Sequence, residues 1–122
     1  MTDPRSFLPL TPLAFQVLLA LADTDRHGYG IIREVADRTD GLITLRTGTL
    51  YTLLQRLGEE ALLAPGHPPL NAPDADGSAA KDDPRRKYYA LTELGRDVLA
   101  AEVRRLESVL SDARRKHVVP RA

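Results

Sequence analysis

The sequence predicts a mainly α fold with one small β-hairpin and a long C-terminal helix. Three observations predict it. Three stretches before residue 61 carry apolar side chains at helical spacing. Two short apolar segments then flank a tract rich in Pro, Ala, Asp and Gly. Beyond them, Leu99, Val103, Leu106, Leu110 and Ala113 alternate spacings of four and three, a seam of about two and a half heptads. The 122 residues suffice for one domain with a modest core.

In chain order, residues 1–10 form a loose lead-in with Leu8 and Leu10 tucked against the fold. Thr11-Pro12 supplies an N-cap hydroxyl and a proline at the first helical position. The helix it opens, 12–22, is apolar over most of its circumference, so it needs cover on more than one side, a second subunit included. Asp23 to Arg26 is a polar break. A second helix over 28–39 turns Ile31, Ile32, Val35 and Ala36 inward and closes at Asp40-Gly41. A third, 46–60, places Leu50, Leu53, Leu54 and Leu57 on one side. Its other side is small, hydroxylic and amide-bearing: Gly48, Tyr51, Thr52 and Gln55, with Arg56 at the edge. Gly58 weakens the last turn by roughly 0.5–1 kcal/mol relative to Ala, which makes it the candidate early end of the helix.

Residues 61–64 make an edge strand, and the acidic tract 65–84 has too few apolar groups to offset its ordering entropy. Arg85 to Leu91 make a second strand with Arg85, Arg86 and Lys87 at its entry. Tyr89, in phase with Leu91, is the expected core tyrosine, which leaves Tyr88 to solvent or a partner. Thr92 caps the last helix, which runs to about Lys116 and is roughly 35 Å long at 1.5 Å per residue. Three short helices and a hairpin cannot cover that length, so a partner subunit is the economical cover.

Composition excludes several functions. The absence of Cys rules out a disulfide scaffold, a thiolate metal site and thiol catalysis. His27, His67 and His117 are far apart, so no metal and no cofactor are expected; His27 suits a local hydrogen bond at a helix start. No serine is arranged with a His and an Asp, and no glycine-rich stretch matches a nucleotide loop, so the chain is not expected to be an enzyme. The longest apolar run, Val17 to Ala22, is far too short for a bilayer, and the first ten residues lack signal-peptide character. A cytoplasmic protein without a membrane partner is expected. Net charge is zero, but residues 85–122 carry 10 basic and 5 acidic groups, so any nucleic-acid contact rests on local patches.

The order helix, helix, helix, strand, long loop, strand, long helix is that of a winged helix-turn-helix (1–91) with a C-terminal dimerisation helix (92–117). In such folds the third helix enters the major groove of double-stranded DNA. Arg46, Thr47 and Thr49 then sit at a helix N-terminus suited to a phosphate, and Gly48, Tyr51, Thr52, Gln55 and Arg56 face the groove. Arg85, Arg86 and Lys87 lie at the base of the wing, where they neutralise phosphates. The competing expectation is a winged-helix module that binds protein instead of DNA.

Three blocks sharpen this expectation: HGYGI at His27 to Ile31, GTLYTLLQRL at Gly48 to Leu57, and RKYYALTELGRDVL at Arg86 to Leu99. In this order and spacing the chain resembles the PadR family of transcriptional regulators, over about Leu10 to Arg115, and its single C-terminal helix resembles the smaller subgroup. The resemblance implies a homodimer on a pseudo-palindromic operator, usually a repressor, sometimes released by a small hydrophobic ligand. It also implies an interface built by the first and last helices, here Leu13, Val17, Leu99, Val103, Leu106, Leu110 and Ala113. Two features depart from the family pattern: Leu57-Gly58-Glu59-Glu60-Ala61 at the end of the third helix, and the long acidic wing loop.

Overall fold

The computed structural model describes residues 2–69, 87–118 and 120. Helix α1 (Pro12–Ala20) starts as its cap dictates, with Thr11 Oγ1 accepting from the Ala14 N–H at 3.2 Å. It stops two residues short of the expected end, and the Arg26 guanidinium reaches back to the Ala20 carbonyl at 2.7 Å. Ala14, Val17, Leu18 and Ala20 are buried, whereas Leu13, Phe15 and Leu19 are only partly covered. The lead-in is not loose throughout. Asp3 caps a 3-10 turn, Pro4–Phe7, and Phe7, Leu8 and Leu10 pack on the core.

The polar break ends in a strand, β1 (Arg26–His27), too short to leave a periodic signal. Helix α2 (Gly28–Arg38) follows, its N-cap being His27, whose Nδ1 accepts from the Gly30 N–H at 2.8 Å. This is the local role expected of that histidine. Ile31 and Val35 are buried, and Gly41, at φ 79°, closes the helix by donating to the Ala36 carbonyl at 2.8 Å.

Helix α3 (Thr47–Glu59) buries Leu50, Leu53, Leu54 and Leu57, as the periodicity predicts. It does not break at Gly58. The left-handed position that closes it falls on Ala61, φ 64°, and the Leu62 N–H then reaches the Leu57 carbonyl at 3.0 Å. Strand β2 (Leu63–Pro65) therefore starts two residues later than expected, because residues 61 and 62 form the turn.

Strand β3 (Tyr88–Leu91) lies between the other two, both antiparallel to it, in the order β1-β3-β2. Arg26 pairs with Tyr89 and His27 with Tyr88 on one side; Leu63 pairs with Leu91 and Ala64 with Ala90 on the other. The hairpin is thus part of a three-stranded sheet. The added strand corrects the tyrosine assignment. Tyr88 is the more buried of the two, covered by the His27 ring in an edge-on contact at 5.2 Å, while Tyr89 is half-buried and packs on the core beside Leu91. Residues 70–84 of the long loop, with Arg85 and Arg86, lie outside the described residues.

Helix α4 (Glu93–Arg115) is seated by a tight junction. Thr92 Oγ1 accepts from the Gly95 N–H at 2.9 Å and donates to the Ala61 carbonyl at 2.6 Å. Gly95 lies so close to the α3 exit that an added Cβ would sit 2.1 Å from the Leu62 carbonyl oxygen, so only glycine fits. Val98 and Leu99 complete the core with α1, α2 and α3.

Candidate nucleic-acid interface

The leucine side of α3 is locked into the core, which forces its other side outward. Arg46, Thr47, Gly48, Thr49, Thr52, Gln55 and Arg56 are all exposed. The helix stands between two depressions. On one flank a cleft of about 420 Å³ separates it from the sheet, lined among others by Tyr51, Gln55, Gly58, Lys87 and Tyr89. On the other flank a groove of about 670 Å³ runs between α3 and the start of α1, past Pro12, Leu13, Gly48, Thr52 and Arg56. A helix raised in this way can enter a concave partner.

The two ends of α3 differ in electrostatics. At the start no side chain caps the helix, so the first-turn N–H groups are left to face outward beside Arg46. At the far end Gln55 donates to Glu59 at 3.3 Å, and Arg56 lies 3.5 Å from Glu60. Both contacts are exposed, and such surface pairs contribute about 0–1 kcal/mol, so either side chain is readily exchanged to another acceptor. The favourable end for an anion is the N-terminal one.

Tyr51 departs from the other members of this face. It is half-buried, and its ring lies over the first turn of α2, where a Cβ on Gly28 would come within 2.6 Å of the phenol oxygen. Gly28 and Tyr51, from two separate sequence blocks, therefore set the spacing of α2 against α3. Burial, and secondarily Tyr51, push the Tyr89 phenol above its ordinary value. Lys87 is exposed at the entry to β3, its ammonium 5.8 Å from the centre of the Tyr89 ring. Arg85 and Arg86 were assigned with it and fall outside the described residues.

The residues assigned to a subunit interface divide. Val17 (0% exposed) and Leu99 (6%) are taken up by the chain's own core. Leu13 and Ala113 are half-buried. Val103, Leu106 and Leu110 are 36–44% exposed, and Val109, which a strict heptad count omits, is 50% exposed next to them. Sequence reasoning also passed over Tyr29, exposed on the first turn of α2; nothing in its spacing separates it from a core aromatic. Among the described residues no three His, Cys, Asp or Glu side chains come together as metal ligands, and no helix is long and apolar enough to cross a membrane.

Comparison with known proteins is consistent with this geometry. The model of a family described as "Transcriptional regulator PadR-like family" matches residues 17–101. An uncharacterised protein of Lysinibacillus sphaericus is 30% identical over 88 residues, 72% of each chain. Among solved structures, a PadR family transcription regulator of Clostridium difficile superposes with a TM-score of 0.65 at 23% identity, over 86% of this chain and 97% of that one. RosR of H. salinarum gives 0.59 at 27% identity, over 92% and 89%. PadR of Bacillus subtilis in complex with operator DNA gives 0.59 at 18% identity, over 78% of this chain and 48% of that one. The fold is that of the winged helix-turn-helix proteins of this group.

Proposed function

Because this chain belongs to the PadR-like family of transcriptional regulators, we propose that it acts as a homodimeric repressor on a pseudo-palindromic operator. Each subunit sets α3 in one of two successive major grooves, about 34 Å apart. The observation that carries the proposal is the outward face of α3. It is raised between two depressions and free of bulky apolar groups, and it is electropositive at its N-terminal end. Arg46 and the first-turn N–H groups take a phosphate; Gly48 lets the backbone approach; Thr52 and Gln55 meet base edges. Thr47, Thr49 and Arg56 flank that contact, and Lys87, with Arg85 and Arg86, serves the wing side. The operator-bound state of Bacillus subtilis PadR is a precedent for this use of the fold. Tyr51 is assigned a double part: its ring holds α2 and its hydroxyl meets the DNA backbone. A cytoplasmic location and release by a small hydrophobic effector belong to the same proposal.

The test is duplex binding measured across salt concentration. Counterion release predicts a linear fall of log K with log salt, with a slope of about −0.9 per phosphate neutralised. Arg46→Ala and Arg56→Ala each weaken binding and reduce the slope by about one, and Tyr51→Phe weakens binding without unfolding the chain. A flat line for the wild-type protein would instead favour a winged-helix module that binds protein.

A further inference from the structure

Glu102 is the one charged side chain fully buried among the described residues, 1% exposed, and the DNA-binding face makes no use of it. It sits where α4 leaves the subunit. Gly95, Val98, Leu99 and Glu102 are the buried residues of the helix, and beyond them Val103, Leu106, Val109 and Leu110 are open to solvent. Its carboxylate accepts from the Leu10 N–H at 2.8 Å and from the Arg105 guanidinium on the next turn. Leu10 directly precedes the Thr11-Pro12 start of α1, and the 3-10 turn before it packs against α4. A buried carboxylate left without these partners would be costly, so the Leu10 contact ties α4 to the start of α1, while Arg105, on α4 itself, balances the charge that makes the tie.

That direction has a long lever. From Glu102 to Arg115 α4 extends about 20 Å at 1.5 Å per residue. A 10° change at the exit moves the far end by about 3.5 Å, close to the ~3.4 Å rise of one base step. We infer that Glu102 is a positioning residue that sets the angle between the DNA-binding body and its dimerisation arm, and so the distance between the two α3 helices and the half-site spacing that the dimer accepts. This rests on the homodimer reading above.

The cysteine-free sequence allows a direct test in the full chain without knowledge of the operator. A spin label on Asp37→Cys, exposed on α2, reports the distance between the two bodies of a dimer by pulsed electron resonance. The wild-type background should give a narrow distribution. Glu102→Leu should shift or broaden it by several Å while sedimentation still shows a dimer, and Glu102→Gln, which keeps an acceptor for Leu10, should restore it. A folded Glu102→Leu dimer with the wild-type distribution would overturn the inference. If that variant does not fold, Glu102→Ala, which removes the acceptor of the Leu10 N–H without adding a bulky apolar side chain, decides in its place: a broadened distribution supports the assignment and an unchanged one overturns it. A wild-type protein that sediments as a monomer refutes the homodimer reading itself, a separate result from an unchanged distance.

Discussion

The two halves of α4 follow one heptad pattern yet meet opposite fates. From Glu93 to Glu102 the helix is sealed against its own chain. Thr92 caps it, Gly95 presses on the Leu62 carbonyl, and Val98 and Leu99 fill the core. From Val103 to Arg115 the same periodicity leaves Val103, Leu106, Val109 and Leu110 at 36–50% exposure. An apolar period thus identifies a stripe but not what covers it. The cover depends on how far the body of the fold reaches along the helix, and it reaches to Glu102.

The largest effect that would break this division is at Gly95. Gly95→Ala forces a methyl group into a backbone carbonyl, and overpacking of that kind costs about 1–3 kcal/mol. Denaturant unfolding should show a loss near the top of that range; an unchanged midpoint would mean that the first half of α4 is not seated as described. The next effect is set by pH. Arg105, and secondarily the Leu10 N–H, hold the Glu102 carboxyl below its ordinary value of 4.5. A carboxyl depressed on folding contributes stability that is complete above its unfolded value and is lost as pH falls through the folded one. Wild-type stability should therefore drop on acidification below about pH 4.5, and Glu102→Gln should drop less steeply over the same interval. Equal acid limbs for both proteins would remove Glu102 from the seating of α4. The smallest effect sharpens the junction itself. Ala61 holds a left-handed conformation that costs a non-glycine residue about 1 kcal/mol, so Ala61→Gly should raise stability by up to that amount in a thermal melt.

Much of the fold was legible because its signals are local. The Thr11-Pro12 and Thr92 caps, the leucine side of α3 and the Gly41 stop each act within a turn or two of chain, and each appears where the sequence places it. What escaped depends on contacts distant in sequence. Strand β1 is two residues long and exists because β3 pairs with it, and that pairing, with the His27 ring, buries Tyr88 and not Tyr89 alone. Gly58 looked like the end of α3, yet a helix tolerates a glycine in its last turn when the turn beyond it supplies the closing bonds. The exposed face of α3 was visible as an absence of bulky apolar groups. The packing of Tyr51 on Gly28 was not, since it joins two blocks 23 positions apart. Periodicity does not separate a subunit's core from its contact with a copy of itself, and Val17 and Leu99 are both buried within the single chain.

In the proposed function the second half of α4 makes the dimer, and the dimer is what holds two α3 helices on DNA. Leu106→Glu combined with Leu110→Glu tests it most directly, because both side chains are exposed in the single chain and the fold does not depend on them. Sedimentation across concentration, alongside duplex binding, should show a folded monomer whose dissociation constant for self-association has risen at least about a hundredfold, some 2.7 kcal/mol, and which binds a two-half-site duplex far more weakly than the wild-type protein. A double variant that remains a dimer and binds that duplex unchanged would contradict the account.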